Sequence, residues 1–136
     1  MDKQLHHITL NDPTKSISKT YTFDRVFDET TCQDRFANSI CTPLVKFLKN
    51  GGESGLIFSY GITNSGKTYT ILGTNELPGI LLTLIRKLEQ EFPEETLKIV
   101  ACELYKDEFM SLKNKGQKFQ PKELKGTISF DDCDSD

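Results

Sequence analysis

Apolar residues recur at helical spacing in two stretches of this chain and cluster in short runs elsewhere. In the first stretch Phe36, Ile40, Leu44, Phe47 and Leu48 fall on one face of a helix. Thr30-x-x-Gln33 fits a capping box at its start, and Gly51-Gly52 closes it. Pro43 lies inside and removes one backbone donor, which predicts a bend or a loosened turn near Ser39. In the second stretch Leu81, Leu84, Ile85, Leu88 and Phe92 form one stripe that stops at Pro93.

The strand signals are shorter. Residues 1–20 are polar, with one alternating piece, His7-Ile8-Thr9-Leu10, ended by Asn11-Asp12-Pro13. Residues 21–27 mix β-branched and aromatic side chains and predict a strand. Leu56-Ile57-Phe58 is a continuous apolar run of the kind buried on both faces of a parallel sheet. A glycine-spaced loop and a short helix from Lys67 to Leu72 follow it, broken by Gly73 and Pro78-Gly79, and residues 97–105 predict a further strand. Strand, helix, strand, loop, helix, strand is an α/β order with parallel pairing. Beyond Phe109 the pattern fades into a lysine-rich segment and an acidic end. The expected division is therefore residues 1–112 and a divergent segment, residues 113–136.

Composition narrows the partners. The chain has 136 residues, room for one core, and a net charge of −3, against a whole-domain footprint for nucleic acid or an anionic membrane. No run approaches the ~18 apolar residues of a membrane span, and the first residues lack a signal-peptide core. Four scattered cysteines, Cys32, Cys41, Cys102 and Cys133, show no zinc spacing and predict reduced thiols in an intracellular protein.

The chemistry is concentrated in Gly61-Ile62-Thr63-Asn64-Ser65-Gly66-Lys67-Thr68, which fits the phosphate-loop pattern G-x-x-x-x-G-K-S/T without a mismatch. The glycines let the loop's N–H groups converge on a phosphate, and the following helix adds unpaired donors. Lys67 brings a mobile positive charge to the β/γ oxygens, and Thr68 a hydroxyl for Mg²⁺. ATP with Mg²⁺ is the expected ligand.

The residues around the loop carry a resemblance. Ile57-Phe-Ser-Tyr-Gly-Ile-Thr-Asn-Ser-Gly-Lys-Thr-Tyr-Thr-Ile-Leu-Gly-Thr74 resembles the phosphate-loop segment of kinesin motor domains, and with Pro78-Gly79-Ile80-Leu81 looks most like the cytokinetic, central-spindle subfamily. Tyr21-Thr-Phe-Asp-Arg-Val-Phe27 is similar to the family's YxFDxVF strand, and Cys102-Glu-Leu-Tyr-Lys-Asp-Glu-Phe-Met-Ser-Leu112 to its EIYNExxxDLL strand and turn. The resemblance covers about residues 20–112. It implies a P-loop NTPase-type fold, microtubules as partner, a cytoplasmic place on the cytoskeleton, and ATP-driven movement. It also suggests Tyr69 near the adenine, the alternative being a residue packed on the sheet. Glu103, Tyr105 and Glu108 would be structural.

The sequence departs from that family as well. It holds no Arg-x-Arg-Pro strand, no Asn-x-x-Ser-Ser-Arg-Ser-His loop and no Asp-Leu-Ala-Gly-Ser-Glu segment. Phosphoryl transfer requires a group that orders water and a second element that holds Mg²⁺, so binding without efficient hydrolysis is expected, on a partial motor domain with an incomplete central sheet. The family's neighbours of the 56–58 strand come later in the chain, which would leave it with unpaired edges. Two other readings remain: a non-motile nucleotide-binding or regulatory module, and a small P-loop kinase using Thr127-Ile-Ser-Phe130-Asp131 as its acidic strand. Lys113, Lys115, Lys118, Lys122 and Lys125 read as a solvated loop, or else as an electrostatic surface for acidic tubulin.

Overall fold

The computed structural model describes residues 5–113, 118–119, 122–124 and 127–129, and the chain divides into two compact units, residues 1–95 and 96–136.

The first unit opens with a hairpin. β1 (Leu5–Asp12) pairs antiparallel with β2 (Ile17–Val26), with Asp12 opposite Ile17 across the turn. Asp12 shapes that turn by accepting the Thr14 N–H at 3.0 Å and the Thr14 hydroxyl at 2.6 Å. The predicted strand at 21–27 is thus the second half of a longer strand, and the alternating piece at 7–10 is its partner.

α1 (Gln33–Lys49) packs against α3 (Ile80–Glu91), with the short α2 (Lys67–Ile71) beside α3. The small core between them consists of Ala37, Cys41 and Ile80, joined by Phe36, Ile40, Ile57, Ile71 and Leu84. Both expected stripes are largely covered, but they flank the innermost positions and each has one exposed member. The most buried line on α1 is Ala37, Cys41 and Val45, whereas Phe47 is exposed. On α3, Ile80 and Thr83 are buried and Leu81 is exposed. On α1 the innermost residues are the small Ala37 and Cys41, which meet Ile80, and Phe36, Ile40 and Leu84 pack around them. Burial pushes the Cys41 thiol up from its ordinary value, so it stays protonated, its Sγ 3.5 Å from the Ile80 carbonyl. Cys32, Cys41 and Cys102 are free thiols.

The end of α1 follows the sequence. Gly52 N–H bonds to Phe47 O and Gly51 N–H to Leu48 O, a Schellman closure with Gly51 at φ +89°. The helix assignment continues through Pro43. Its start differs: Cys32 is the N-cap and no side chain caps it. Thr30 is engaged elsewhere, its hydroxyl donating to Asp28 at 2.6 Å, so the capping box does not form. Phe27 meets Phe36 edge-to-face with centroids 4.7 Å apart, fixing where the chain enters the helix.

The expected strand at 56–58 is absent: residues 53–60 make no ladder. Ile57 and Ser59 are partly covered, whereas Leu56, Phe58 and Tyr60 are 84%, 75% and 95% exposed. This alternation is that of a strand, but a strand needs a neighbour for its main-chain groups. Every strand pair among the described residues is antiparallel, against the parallel pairing expected.

In the second unit the run expected at 97–105 shortens to β3 (Cys102–Tyr105), which pairs with β4 (Glu108–Ser111), itself paired with β5 (Lys118–Phe119). β6 (Lys122–Leu124) and β7 (Thr127–Ser129) form a separate pair. Tyr105 is exposed and Glu108 binds Lys118 at 2.7 Å. Lys115, Lys125, Asp131 and Cys133 lie outside the described residues.

Two carboxylates predict an acid response. Hydrogen bonds from the Thr30 side chain and backbone hold Asp28 below its ordinary 3.8. A hydrogen bond and the charge of Lys49, at the other end of the α1–α3 pair, hold Glu91 below 4.5. Both folded values are depressed, so the stability they add is complete above the unfolded values and is lost as pH falls through the folded ones. Far-UV circular dichroism at fixed temperature should therefore lose helix on acidification. Glu91→Gln should flatten part of that slope, modestly because the pair is exposed. An identical acid profile in the variant would show that the pair contributes nothing.

Candidate nucleotide-binding site

The loop at 61–68 is shaped by its backbone. Ser65 N–H bonds to Ile62 O at 3.2 Å and closes a turn through Asn64 at φ +63°. Gly66 follows at φ +87°, a left-handed conformation that costs an L-residue about 1–2 kcal/mol. At Gly61 the constraint is space, since a Cβ there would lie 2.5 Å from Ser65 Oγ. The chain then enters α2, whose first closing bond is Thr70 N–H to Gly66 O at 2.8 Å. The amides of Lys67, Thr68 and Tyr69 precede that bond and are the helix's unspent donors.

Lys67 completes the cradle. Its Nζ lies 2.9 Å from Gly61 O and 2.6 Å from Ile62 O, so the loop's own carbonyls hold the ammonium. An ammonium has three donors, and two of them are used here. Lys67 is also the only charged side chain from residue 54 to residue 75, so no carboxylate on this segment opposes an anion. Preformed amides, a left-handed glycine and a tethered cation fit a polyphosphate.

The metal is a different matter. Thr68 is exposed beside Lys67 and can offer its hydroxyl. No group of three or more His, Cys, Asp or Glu side chains among the described residues could hold a metal ion. Mg²⁺ would therefore depend on Thr68 and on oxygens of the nucleotide that it accompanies. Tyr69 is 43% exposed rather than packed in the core. On the core side of the loop, a cavity of about 270 Å³ is lined by Phe36, Ile40, Ile57, Ser65, Lys67 and Ile71 among others.

The structure thus brings Gly61, Ile62, Thr63, Asn64, Ser65, Gly66, Lys67, Thr68 and Tyr69 into one loop and helix start. It adds a contact that the sequence reading assigned to another role. Gln33, expected to serve the α1 capping box, instead donates its side-chain amide to Tyr69 O at 2.9 Å.

Comparison with known proteins defines the class. Residues 1–130 match the family model described as the kinesin motor domain, and the chain belongs to that family. Kinesin-like protein KIN-8A of Arabidopsis thaliana is 39% identical over 77 residues, 57% of this chain and 10% of that protein. Kinesin-like protein KIF3C of Bos taurus is 30% identical over 139 residues, 90% of this chain and 17% of that protein. Among solved structures, residues 391–755 of KIF14 with ADP in complex with a microtubule are similar, with a TM-score of 0.61 and 25% identity, covering 88% of this chain and 38% of that one. The chain therefore has the P-loop NTPase-type fold of kinesin motors and spans a minor part of the relatives it matches. Relatives of several designations share the similarity, which establishes the family rather than a subfamily.

Proposed function

We propose that this chain is a nucleotide-binding part of a kinesin motor domain, with Gly61, Ile62, Thr63, Asn64, Ser65, Gly66, Lys67 and Thr68 holding the phosphates of ATP and Thr68 contributing to Mg²⁺. The observation that carries the reading is the Lys67 ammonium tied to Gly61 O and Ile62 O, on a segment that carries no carboxylate. When bound, Mg²⁺ would neutralise phosphate charge. The loop amides and Lys67 would orient the phosphate chain, and Tyr69 would lie toward the base.

Family membership supports microtubules as the partner, the cytoplasmic microtubule cytoskeleton as the place, and ATP-driven movement as the activity of the complete motor. The 136 residues alone are proposed to bind without efficient turnover, since no acidic cluster among the described residues holds metal and no switch motif is present in the sequence. Lys118, one of the lysines weighed for tubulin contact, is engaged by Glu108.

Isothermal calorimetry with Mg·ATP tests the binding; folded material that gives no heat removes the assignment. Hydrolysis assays with and without microtubules should both stay near background. Clear microtubule stimulation would show that the chain supplies its own water-ordering group.

A further inference from the structure

α2 has only five residues, and its ladder ends early. Leu72 N–H bonds to Thr68 O at 2.8 Å, after which the chain turns away at Gly73, φ +77°. The carbonyls of Tyr69 and Thr70 fall beyond the last helical donor, and such acceptors require another partner. Gln33, the first residue of α1, supplies it. Its amide nitrogen lies 2.9 Å from Tyr69 O and 3.5 Å from Thr70 O, a side-chain cap reaching across 36 positions of sequence. The bond to Tyr69 O is open to solvent and the longer one to Thr70 O is partly covered.

We propose that Gln33 is a positioning residue for base recognition: by holding the main chain of Tyr69, it fixes that ring against the base of a bound adenine nucleotide. This rests on the reading of the loop as a Mg·ATP site. The chemistry selects a neutral donor of this length. A carboxylate in its place would face the two carbonyls with acceptors only. Because Lys67 is tethered separately to Gly61 and Ile62, the phosphate grip does not depend on the cap.

The test compares Mg·ATP with Mg·tripolyphosphate, which has the phosphates and no base, by calorimetry on the 136-residue chain. Gln33→Met keeps the length and removes the donor. It should weaken Mg·ATP up to about tenfold, the upper end for one hydrogen bond, and leave tripolyphosphate unchanged. Tyr69→Ala should show the same split, and Gln33→Met should cost nothing more in that background. Should Gln33→Met fail to fold, Gln33→Asn, which draws the amide back by one methylene, takes its place with the same expected split.

A cap that only stabilises α2 would weaken both ligands in parallel. Parallel loss, no loss, or full additivity with Tyr69→Ala overturns the proposal while leaving the loop assignment standing. A wild-type chain that binds neither ligand removes the loop assignment itself, and this inference with it.

Discussion

Lys67→Ala should reduce Mg·ATP affinity about 100-fold, with the far-UV spectrum unchanged. The size follows from the chemistry removed. A charge-assisted hydrogen bond contributes about 1.5–3 kcal/mol, and Lys67 is the only charge on a segment of more than twenty residues. The fold should survive because the side chain's hydrogen bonds go to the loop carbonyls Gly61 O and Ile62 O and it is not a member of the core of Ala37, Cys41 and Ile80. Lys67→Arg should not rescue fully, since a planar guanidinium cannot make the same two bonds from the same stem. Equal affinity in wild type and Lys67→Ala would mean that the tethered ammonium is a structural clasp for the loop and nothing more.

The second large effect concerns association. At micromolar concentrations the 136-residue chain should sediment as a concentration-dependent mixture and unfold without a sharp transition. Leu56, Phe58 and Tyr60 are at least 75% exposed on one side of an extended segment whose main chain makes no ladder. No charge interrupts residues 54–66, so the usual protection of a strand edge is missing. Covering each large side chain gains roughly 1.5–3 kcal/mol, against an association cost of about 4–15 kcal/mol. Three such side chains together with new main-chain bonds bring the balance near zero, which is where association depends on concentration. The core opposing unfolding is small, since few of its side chains are fully buried. Phe58→Lys combined with Tyr60→Lys should give a monomer at the same concentrations. A wild-type chain that stays monomeric and melts in one cooperative step would refute the account.

These expectations separate what was local from what was not. The shape of the loop at 61–68 was legible residue by residue because it is contiguous: two glycines, a turn and a helix start within eight residues. The structure supplied the detail that Lys67 is held by Gly61 and Ile62. The end of α1 was legible for the same reason, since a Schellman closure is made by neighbours.

Most of the misreadings involve partners far along the chain. Gln33 fitted a capping box with Thr30, but Asp28 takes Thr30 and the carbonyls of α2 take Gln33. The helix stripes were chosen by size, whereas close packing of α1 on α3 placed Ala37, Cys41, Ile80 and Thr83 innermost. Residues 56–58 had the composition of a buried strand and still form none.

The sequence by itself determined the family, the loop and the positions of the helices, because each is written in residues close enough to act on one another without the rest of the fold. Tertiary structure alone decided which helix faces meet, what Gln33 holds, and whether an apolar run becomes a strand. Side-chain burial and main-chain pairing are settled by whatever neighbour arrives, and a neighbour distant in sequence leaves no mark on the residues that await it.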